Sequence, residues 1–330
     1  MGCDGARGSC TVQRSSLLLC LLGVLFLTPE PLLAWGPGTH VALGEAVLGS
    51  LYLLPPAIRT LLERYPLHFL YGSVAADISF AKKYAPVGRH CHHWHVGEEI
   101  LGAAPTPALQ AVGYGYLSHL AADTLAHNTF VPRQLLLTPG TSGAGHTYWE
   151  HRMDVHVGEG YLGKSRRLVM DHDHQEADAH FDNVLSRTLF SFQTNRMIFR
   201  GMMVAQDNDR WKQLFERVLK NSRHDVPDAL RRQLMARAYD DIMDFLIRGR
   251  ASRPARLDPI GEVNLRLAKR VRSRAGVLSA SSDPQALEEL AQDFFPLPSG
   301  PYLYLPQVSQ GPVRKILGVE GVTGAEVESA

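Results

Sequence analysis

The feature that most constrains the fold is an apolar segment, Pro107–Asn128, that nevertheless carries three side chains able to bind metal: His119, Asp123 and His127. Its apolar residues recur at helical spacing, which predicts one long helix. On a helix, His119 and Asp123 are four residues apart, share a face and can bind one ion. His119 and His127 are separated by ~12 Å along the axis, which is too far for a common ion. The helix therefore needs ligands from other segments, and it predicts a metal centre between helices.

A second pair with the same spacing, His146 and Glu150, lies in the sequence HTYWE. It follows a Gly/Pro-rich break at residues 138–145 and predicts another helix that starts near His146. With His127, these side chains would make a three-ligand zinc site that leaves the fourth position open for water. A single pair of this kind is more often solvated or a helix cap, but two pairs within 32 residues favour metal binding.

Two segments upstream offer further ligands. Asp77 lies in the apolar stretch GSVAADIS, where a buried carboxylate needs a partner; a metal is one, and a helix N-terminus that it caps is the alternative. The segment RHCHHWH supplies four imidazoles, which would repel one another if protonated and favour metal binding when neutral. We expect one or two of them to bind directly. His93 is the choice because an aromatic residue follows it, with His92 and His95 as alternatives.

The first 34 residues have the composition of a secretory signal peptide. Arg7 and Arg14 precede an apolar run from Leu17 to Leu27, and the predicted cut lies in front of Trp35. The alternative is an uncleaved membrane anchor, but the run is shorter than the ~20 residues that span a bilayer. We expect a secreted or periplasmic chain with no transmembrane anchor after processing.

Removal of this leader leaves a nearly neutral chain with one cysteine. The leader holds two of the 34 basic and two of the 33 acidic residues, which leaves 32 and 31. This balance predicts no stable nucleic-acid partner. Three of the four cysteines also lie in the leader, so only Cys91 remains and no internal disulfide can form. Packing or metal must then stabilise the exported protein.

Helical periodicity recurs along the chain, which predicts an all-α fold with a single multi-helix domain. The domain is predicted to span residues 35–283, and a Pro/Gly-containing C-terminal tail, 284–330, either packs as a strap or hangs loose. The acidic, histidine-rich stretch 171–180 is interpreted as a solvated loop or an exposed helix start. Further helices are predicted over residues 41–53, 57–65, 181–204, 209–219, 227–246, 260–272 and 287–295.

The ordered set of motifs resembles the zinc-dependent phospholipase C family and the related P1/S1 nucleases. The set consists of WGPGTH after the leader, Asp77, the His93-Trp94 element, HLAAD, His127 and HTYWE. The resemblance implies a helical domain with three zinc ions. It implies that Trp35, through its free amino group and its carbonyl, holds the first ion together with His40. Asp123 would bridge this ion to the second.

The same resemblance implies that the second ion takes His93 and His119, with Asp77 as a further ligand or as the catalytic base beside it. The third ion would be bound by His127, His146 and Glu150. The spacing departs from the family at one place, because Asp123 and His127 are four residues apart where the family usually has six.

The function implied is a secreted zinc-dependent phosphodiester hydrolase. The leading interpretation is a phospholipase C that cleaves phospholipid at a membrane surface to diacylglycerol and a phosphorylated head group, with water activated by metal. The alternatives are a P1/S1-like single-strand nuclease or 3′-nucleotidase, and a non-catalytic helical protein stabilised by zinc. The glutamate of HTYWE is typical of the phospholipases, whereas WGPGTH is typical of the nucleases. The near-neutral charge favours lipid.

Overall fold

The regular structure is helical in every part of the chain that the structure describes. The computed structural model describes residues 35–79, 85–138, 145–185, 190–206, 224–277, 283–309 and 311–320. These residues include no strand, which confirms the predicted all-α fold. The α-helices are α1 (Pro37–Leu48), α2 (Pro56–Arg64), α3 (Pro66–Ile78), α4 (Trp94–Gly102), α5 (Pro107–Leu125), α6 (Val131–Leu137), α7 (Gly145–Val157), α8 (Glu159–Asp171), α9 (Gln175–Val184), α10 (Phe192–Gln206), α11 (Asp228–Arg248), α12 (Glu262–Val277), α13 (Pro284–Phe294) and α14 (Pro312–Leu317).

The long helix predicted from the apolar segment is α5, and its start follows from its first residues. The Thr106 side chain accepts a hydrogen bond from the Leu109 backbone N–H at 3.3 Å, and Pro107 fills the first turn. Both features are typical of a helix N-terminus. At its C-terminal end, α5 continues into a π-helical turn, Ala126–Phe130, before α6 begins.

The helix predicted over residues 181–204 is wrong, because the chain forms two helices there. Helix α9 ends at Val184, and Leu185 is extended. Helix α10 begins at Phe192, whose backbone N–H donates to the Asp182 side chain at 2.6 Å. A carboxylate that accepts from the first turn of a helix acts as its cap, so Asp182 in α9 favours a new start at α10. The helix predicted over residues 209–219 lies outside the described residues.

Helices α3 and α5 pack with their backbones in contact, and glycine makes this contact possible. A Cβ atom on Gly72 would lie 2.0 Å from the Val112 carbonyl oxygen. A Cβ atom on Gly115 would likewise lie 2.0 Å from the Phe69 carbonyl oxygen. No residue with a side chain fits at such distances. The pairing brings the last turns of α3 beside the middle of α5, where His119 lies.

The C-terminal segment packs on the helical domain, which is the first of the two predicted alternatives, a packed strap or a loose tail. Both carboxylate oxygens of Asp240 in α11 accept backbone N–H groups of residues 303–305, at 2.8 to 3.1 Å. Helix α14 contacts α1 and buries Val313 and Leu317. The segment therefore forms a strap across α11 and α1 over the residues that the structure describes.

The interpretation of residues 171–180 as solvated is wrong for Asp178. This residue lies in α9 and is buried. The Tyr71 hydroxyl donates to its carboxylate at 2.6 Å, and the Arg196 guanidinium pairs with the same carboxylate. The charge is buried because partners from distant helices neutralise it, and nothing in the local sequence indicates those partners.

The signal peptide stays a prediction, because residues 1–34 lie outside the described residues. Among the helices that the structure does describe, none is both long and apolar enough to cross a membrane.

Candidate metal centre

Helix α5 carries the two residues around which the first donor group is arranged, His119 and Asp123. Both are fully buried. Around them lie His40 from α1, Asp77 from the last turn of α3 and His92 from the loop before α4. Each of these three residues is only 2 % exposed. Three imidazoles and two carboxylates shielded from solvent form a donor set that suits zinc.

The donor atoms of this first group face one another. Asp123 Oδ2 lies 3.1 Å from His119 Nε2 and 3.3 Å from His92 Nε2, while Asp123 Oδ1 lies 3.4 Å from His40 Nε2. Asp77 Oδ1 lies 3.4 Å from His92 Nε2. The Nε2 atoms of His92 and His119 approach to 3.2 Å. Asp123 thus touches donors on two sides, one oxygen toward His40 and the other toward the remaining rings.

The ring of His119 is oriented by the backbone of α3. Its Nδ1 lies 3.0 Å from the Ser73 carbonyl oxygen. A carbonyl oxygen only accepts, so Nδ1 carries the proton and Nε2 presents its lone pair to the centre. Ser73 follows Gly72, so the close contact of α3 with α5 also sets this hydrogen bond. The His40 ring stacks on that of His119 with centroids 4.0 Å apart.

The structure places His92 rather than the predicted His93 in the first group. Trp94 turns into the core, where its ring stacks on Phe245 with centroids 4.5 Å apart. The chain direction that buries Trp94 also buries His92, and it leaves His93 half-buried at the start of α4. His93 instead stacks on His95, with ring centroids 5.2 Å apart. The aromatic neighbour was therefore a misleading sign.

The second donor group consists of His127, His146 and Glu150, whose candidate ligand atoms all lie within 4.8 Å of one another. All three residues are buried, and His146 Nε2 lies 2.7 Å from Glu150 Oε1. His127 lies in the π-helical turn after α5; such turns occur frequently at functional sites. The rings of His92 and His127 have centroids 6.5 Å apart, so the two donor groups adjoin.

The segment WGPGTH is held by the carboxylate of Asp154 in α7. Asp154 accepts the backbone N–H of Gly38 at 3.0 Å and that of Thr39 at 2.8 Å. The Thr39 hydroxyl donates to the same carboxylate at 2.6 Å. A Cβ atom on Gly36 would lie 2.2 Å from Asp154 Oδ2, so a side chain at this position would displace the Asp154 carboxylate. Asp154 therefore caps α1 and fixes the turn between the buried Trp35 and this helix.

Sequence reasoning missed Asp154, although a signal was present. Asp154 follows Glu150 by four residues, as Glu150 follows His146, so the three share a face of α7. Trp35 is completely buried and lies directly before α1, the helix that carries His40. Helix α7 thus contributes to both donor groups, directly to the second and through α1 to the first.

Burial and neighbouring charges set the protonation of the centre. Burial lowers the pKa of His40, with a further contribution from His119, and burial also lowers the pKa of His127. Both rings are therefore neutral near pH 7, which is the form that binds metal. Burial alone would raise the pKa of Asp123, but the surrounding imidazoles, led by His119, hold it well below its usual range. The centre thus combines neutral His40 and His127 rings with the ionised Asp123 carboxylate.

The unsatisfied atoms of the first group fit a bound cation. Both carboxylate oxygens of Asp123 and Nε2 of His40 are buried and form no hydrogen bond with the described residues. Buried polar atoms without hydrogen bonds cost free energy unless another partner binds them. A zinc ion accepts imidazole nitrogen and carboxylate oxygen together, so it would satisfy these atoms.

Comparison with protein families points to the same chemistry. Residues 39–198 match the family model described as zinc dependent phospholipase C. Over this span the chain is similar to the zinc-dependent phospholipase C family. No curated protein and no solved structure matches the chain.

This similarity supports a zinc-dependent phospholipase or phosphodiesterase, and therefore a hydrolase. The histidine and carboxylate groups described above suit the zinc that the family uses. Every side chain of the two donor groups lies within the matched span. Trp35 lies before it, and Pro259 and Gly261, which contact His127, lie beyond it.

Proposed function

We propose that this protein is a secreted phospholipase C that hydrolyses phospholipid to diacylglycerol and a phosphorylated head group. The observation that supports it most strongly is the convergence of buried donors from four helices, a loop and a π-helical turn. These donors are His40, Asp77, His92, His119, Asp123, His127, His146 and Glu150.

Three zinc ions are proposed at this centre. The first would be held by Trp35, His40 and Asp123. The second would be held by Asp77, His92, His119 and the bridging Asp123. The third would be held by His127, His146 and Glu150. Zinc bound in such a site polarises a phosphate diester and lowers the pKa of the water that attacks it.

The protein's own groups would hold and orient this chemistry. The ionised Asp123 carboxylate would offset the positive charge of the zinc ions bound on either side of it. The Ser73 carbonyl keeps His119 in the tautomer that binds through Nε2. Asp77, 3.4 Å from His92, is positioned either to bind metal or to accept a proton as the base. The burial of these side chains keeps bulk water away from the donors and strengthens their electrostatic interactions.

Removal of the signal peptide before Trp35 is part of the proposal. The freed amino group would then complete the first ion's ligands. The complete burial of Trp35, directly before the turn that Asp154 caps, supports this role. A variant that retains residues before Trp35 should lose one zinc ion and most of its activity; full activity with the leader retained would contradict this part of the proposal.

Action at a membrane surface is supported by helix α12. Four exposed basic residues share one face of this helix: Arg266, Lys269, Arg270 and Arg274. The helix begins directly after Gly261, which contacts His127. A basic face beside the centre would attract anionic lipid head groups and bring the centre to the bilayer.

A single experiment tests the proposal against its alternatives. Bound zinc is measured on the purified mature chain, and the same sample is assayed for release of phosphorylcholine from phosphatidylcholine vesicles and for cleavage of single-stranded DNA. The proposal predicts head-group release that a chelator removes and zinc restores. DNA cleavage without lipid turnover would support the nuclease, and bound zinc without either activity would support a structural role.

A further inference from the structure

The loop between α11 and α12 makes a set of contacts with the residues around His127. We call the segment Leu257–Asn264 the clasp. Three of its backbone carbonyls accept hydrogen bonds from side chains of other segments. The Leu257 carbonyl accepts from Trp94 Nε1 at 2.8 Å, and the Asp258 carbonyl accepts from Asn128 Nδ2 at 2.7 Å. The Pro259 carbonyl oxygen lies 2.5 Å from His127 Nδ1. The clasp therefore contacts both the start of α4, through Trp94, and the π-helical turn, through His127 and Asn128.

The contact with Pro259 determines which nitrogen of His127 is available. The Pro259 carbonyl can only accept, so His127 Nδ1 donates to it and Nε2 is left as the acceptor. That nitrogen belongs to the ring which meets His146, with centroids 5.3 Å apart. Metal-binding histidines commonly donate their other N–H to a carbonyl or carboxylate, which fixes both tautomer and ring orientation.

Gly261 lets the clasp approach this closely. Its φ is 62°, in the left-handed region that favours glycine. A Cβ atom at this position would lie 2.4 Å from the His127 carbonyl oxygen and 2.5 Å from the His127 Cβ. The backbone of the clasp is therefore in direct contact with the backbone of the predicted ligand. Any larger residue must push the two apart.

Asn128 and Asn264 fasten the same contact from the neighbouring position. Asn264 Nδ2 donates to the Asn128 side-chain oxygen at 2.9 Å, and Asn128 Nδ2 also donates to the Thr124 carbonyl at 2.9 Å. These hydrogen bonds of the side-chain amides connect the start of α12 to the π-helical turn, and the turn to α5. The turn is thereby held in one conformation, which matters because His127 follows Asp123 by only four residues.

We propose that the clasp positions His127 as a ligand of the second donor group, so that occupancy of this ion depends on residues beyond the span that matches the family. The inference rests on the zinc binding proposed above. It assigns to Pro259 and Gly261 a positioning role that acts through His127 and not through contact with substrate.

The test compares two glycine substitutions, both at positive φ. Gly261→Ala adds a methyl group at a left-handed position where it meets His127. Gly249→Ala adds one at φ 54°, where no atom lies within 4 Å. Bound zinc per chain is measured for both, for the parent and for His146→Ala, and the thermal midpoint of each is recorded with chelator present.

We expect Gly261→Ala to bind one fewer zinc ion than the parent, as His146→Ala does, while Gly249→Ala keeps the full number. Both alanine variants should melt below the parent without metal, because each adds a side chain at a positive φ. An unchanged zinc content in folded Gly261→Ala would overturn the clasp. If that variant does not fold, Asn264→Ala replaces it, with roughly 10- to 100-fold weaker binding of one ion expected and unchanged binding overturning the proposal.

These outcomes separate the clasp from the proposed function. Parent protein that binds zinc but hydrolyses no phospholipid would refute the proposed activity and leave the clasp testable by zinc content alone. Parent protein without zinc would overturn both.

Discussion

The two donor groups are held in place by different means. Three of the five residues of the first group lie on α3 and α5, whose backbones touch at Gly72 and Gly115. Its geometry therefore depends mainly on a helix pair inside the family-matched span. The second depends on a turn that the clasp supports from beyond that span. A rigid helix contact and a loop contact respond differently to mutation. The first group should fail together with the fold, and the second should fail by itself.

The largest effect is expected where one residue serves both parts of the first group. Asp123→Asn keeps the shape but removes the charge that the surrounding imidazoles stabilise. We expect head-group release to fall by at least about 100-fold, the upper range for loss of a residue that supports a metal site. The activity assay is run beside Asp293→Asn, an exposed residue on α13, which should behave as the parent. Unchanged turnover in Asp123→Asn would show that the first group is not the reactive one.

A glycine substitution sharpens the comparison between the two groups. Gly115→Ala places a methyl group 2.0 Å from a carbonyl oxygen of α3. We expect the free energy of unfolding to fall by about 3 kcal/mol or more, the upper range for overpacking, even with chelator present. The control is Gly201→Ala in α10, where no atom lies within 4 Å. It should gain about 1 kcal/mol from better helix propensity. Equal stability of the two variants in denaturant would rule out the backbone contact.

Asp154 links the two groups, so its removal tests whether they are independent. In Asp154→Asn one oxygen becomes an amide that cannot accept from Gly38 or Thr39. We expect a loss of about 2 kcal/mol of unfolding free energy, typical of hydrogen bonds to a charged group. The matched control is Asp283→Asn, which caps α13 through a single exposed bond to Gln285 N at 2.9 Å. Asparagine caps a helix as well as aspartate does, so the free energy of unfolding of that variant should equal the parent's.

The smallest effect is expected on the exposed basic face of α12, which contains none of the donor residues. Lys269→Ala should weaken binding to anionic phospholipid vesicles by about 1 kcal/mol, or roughly fivefold, because each basic residue near such a surface contributes about that much. Zinc content should not change. Lys315→Ala, an exposed residue on α14, provides the comparison in a vesicle sedimentation assay. Equal losses in both variants would argue against α12 as the lipid-facing surface.

The sequence predicted α5 and most of the side chains that the structure brings together, because their pattern is local. Pairs at intervals of four report helix faces directly, and an apolar segment that carries His119 and Asp123 must bury them. The same reasoning reached His146 and Glu150. Sequence alone could not choose between His92 and His93, since the choice depends on how the chain turns when Trp94 packs against Phe245.

The clasp and the glycine contacts were out of reach for a different reason. The Pro259 group that contacts His127 is a backbone carbonyl, which every residue has, so no residue type indicates it. Gly115 and Gly261 are needed for distances between segments far apart in the chain. Asp178 shows the same limit, because the partners that bury its charge, Tyr71 and Arg196, come from other helices.

The central claim is that these donors converge to hold zinc, and anomalous diffraction at the zinc absorption edge tests it most directly. Crystals of the mature chain grown with zinc should show anomalous peaks between His40 and Asp123, beside His92 and His119, and between His127 and Glu150. Peaks only at surface histidines, or none within the buried set, would contradict the account.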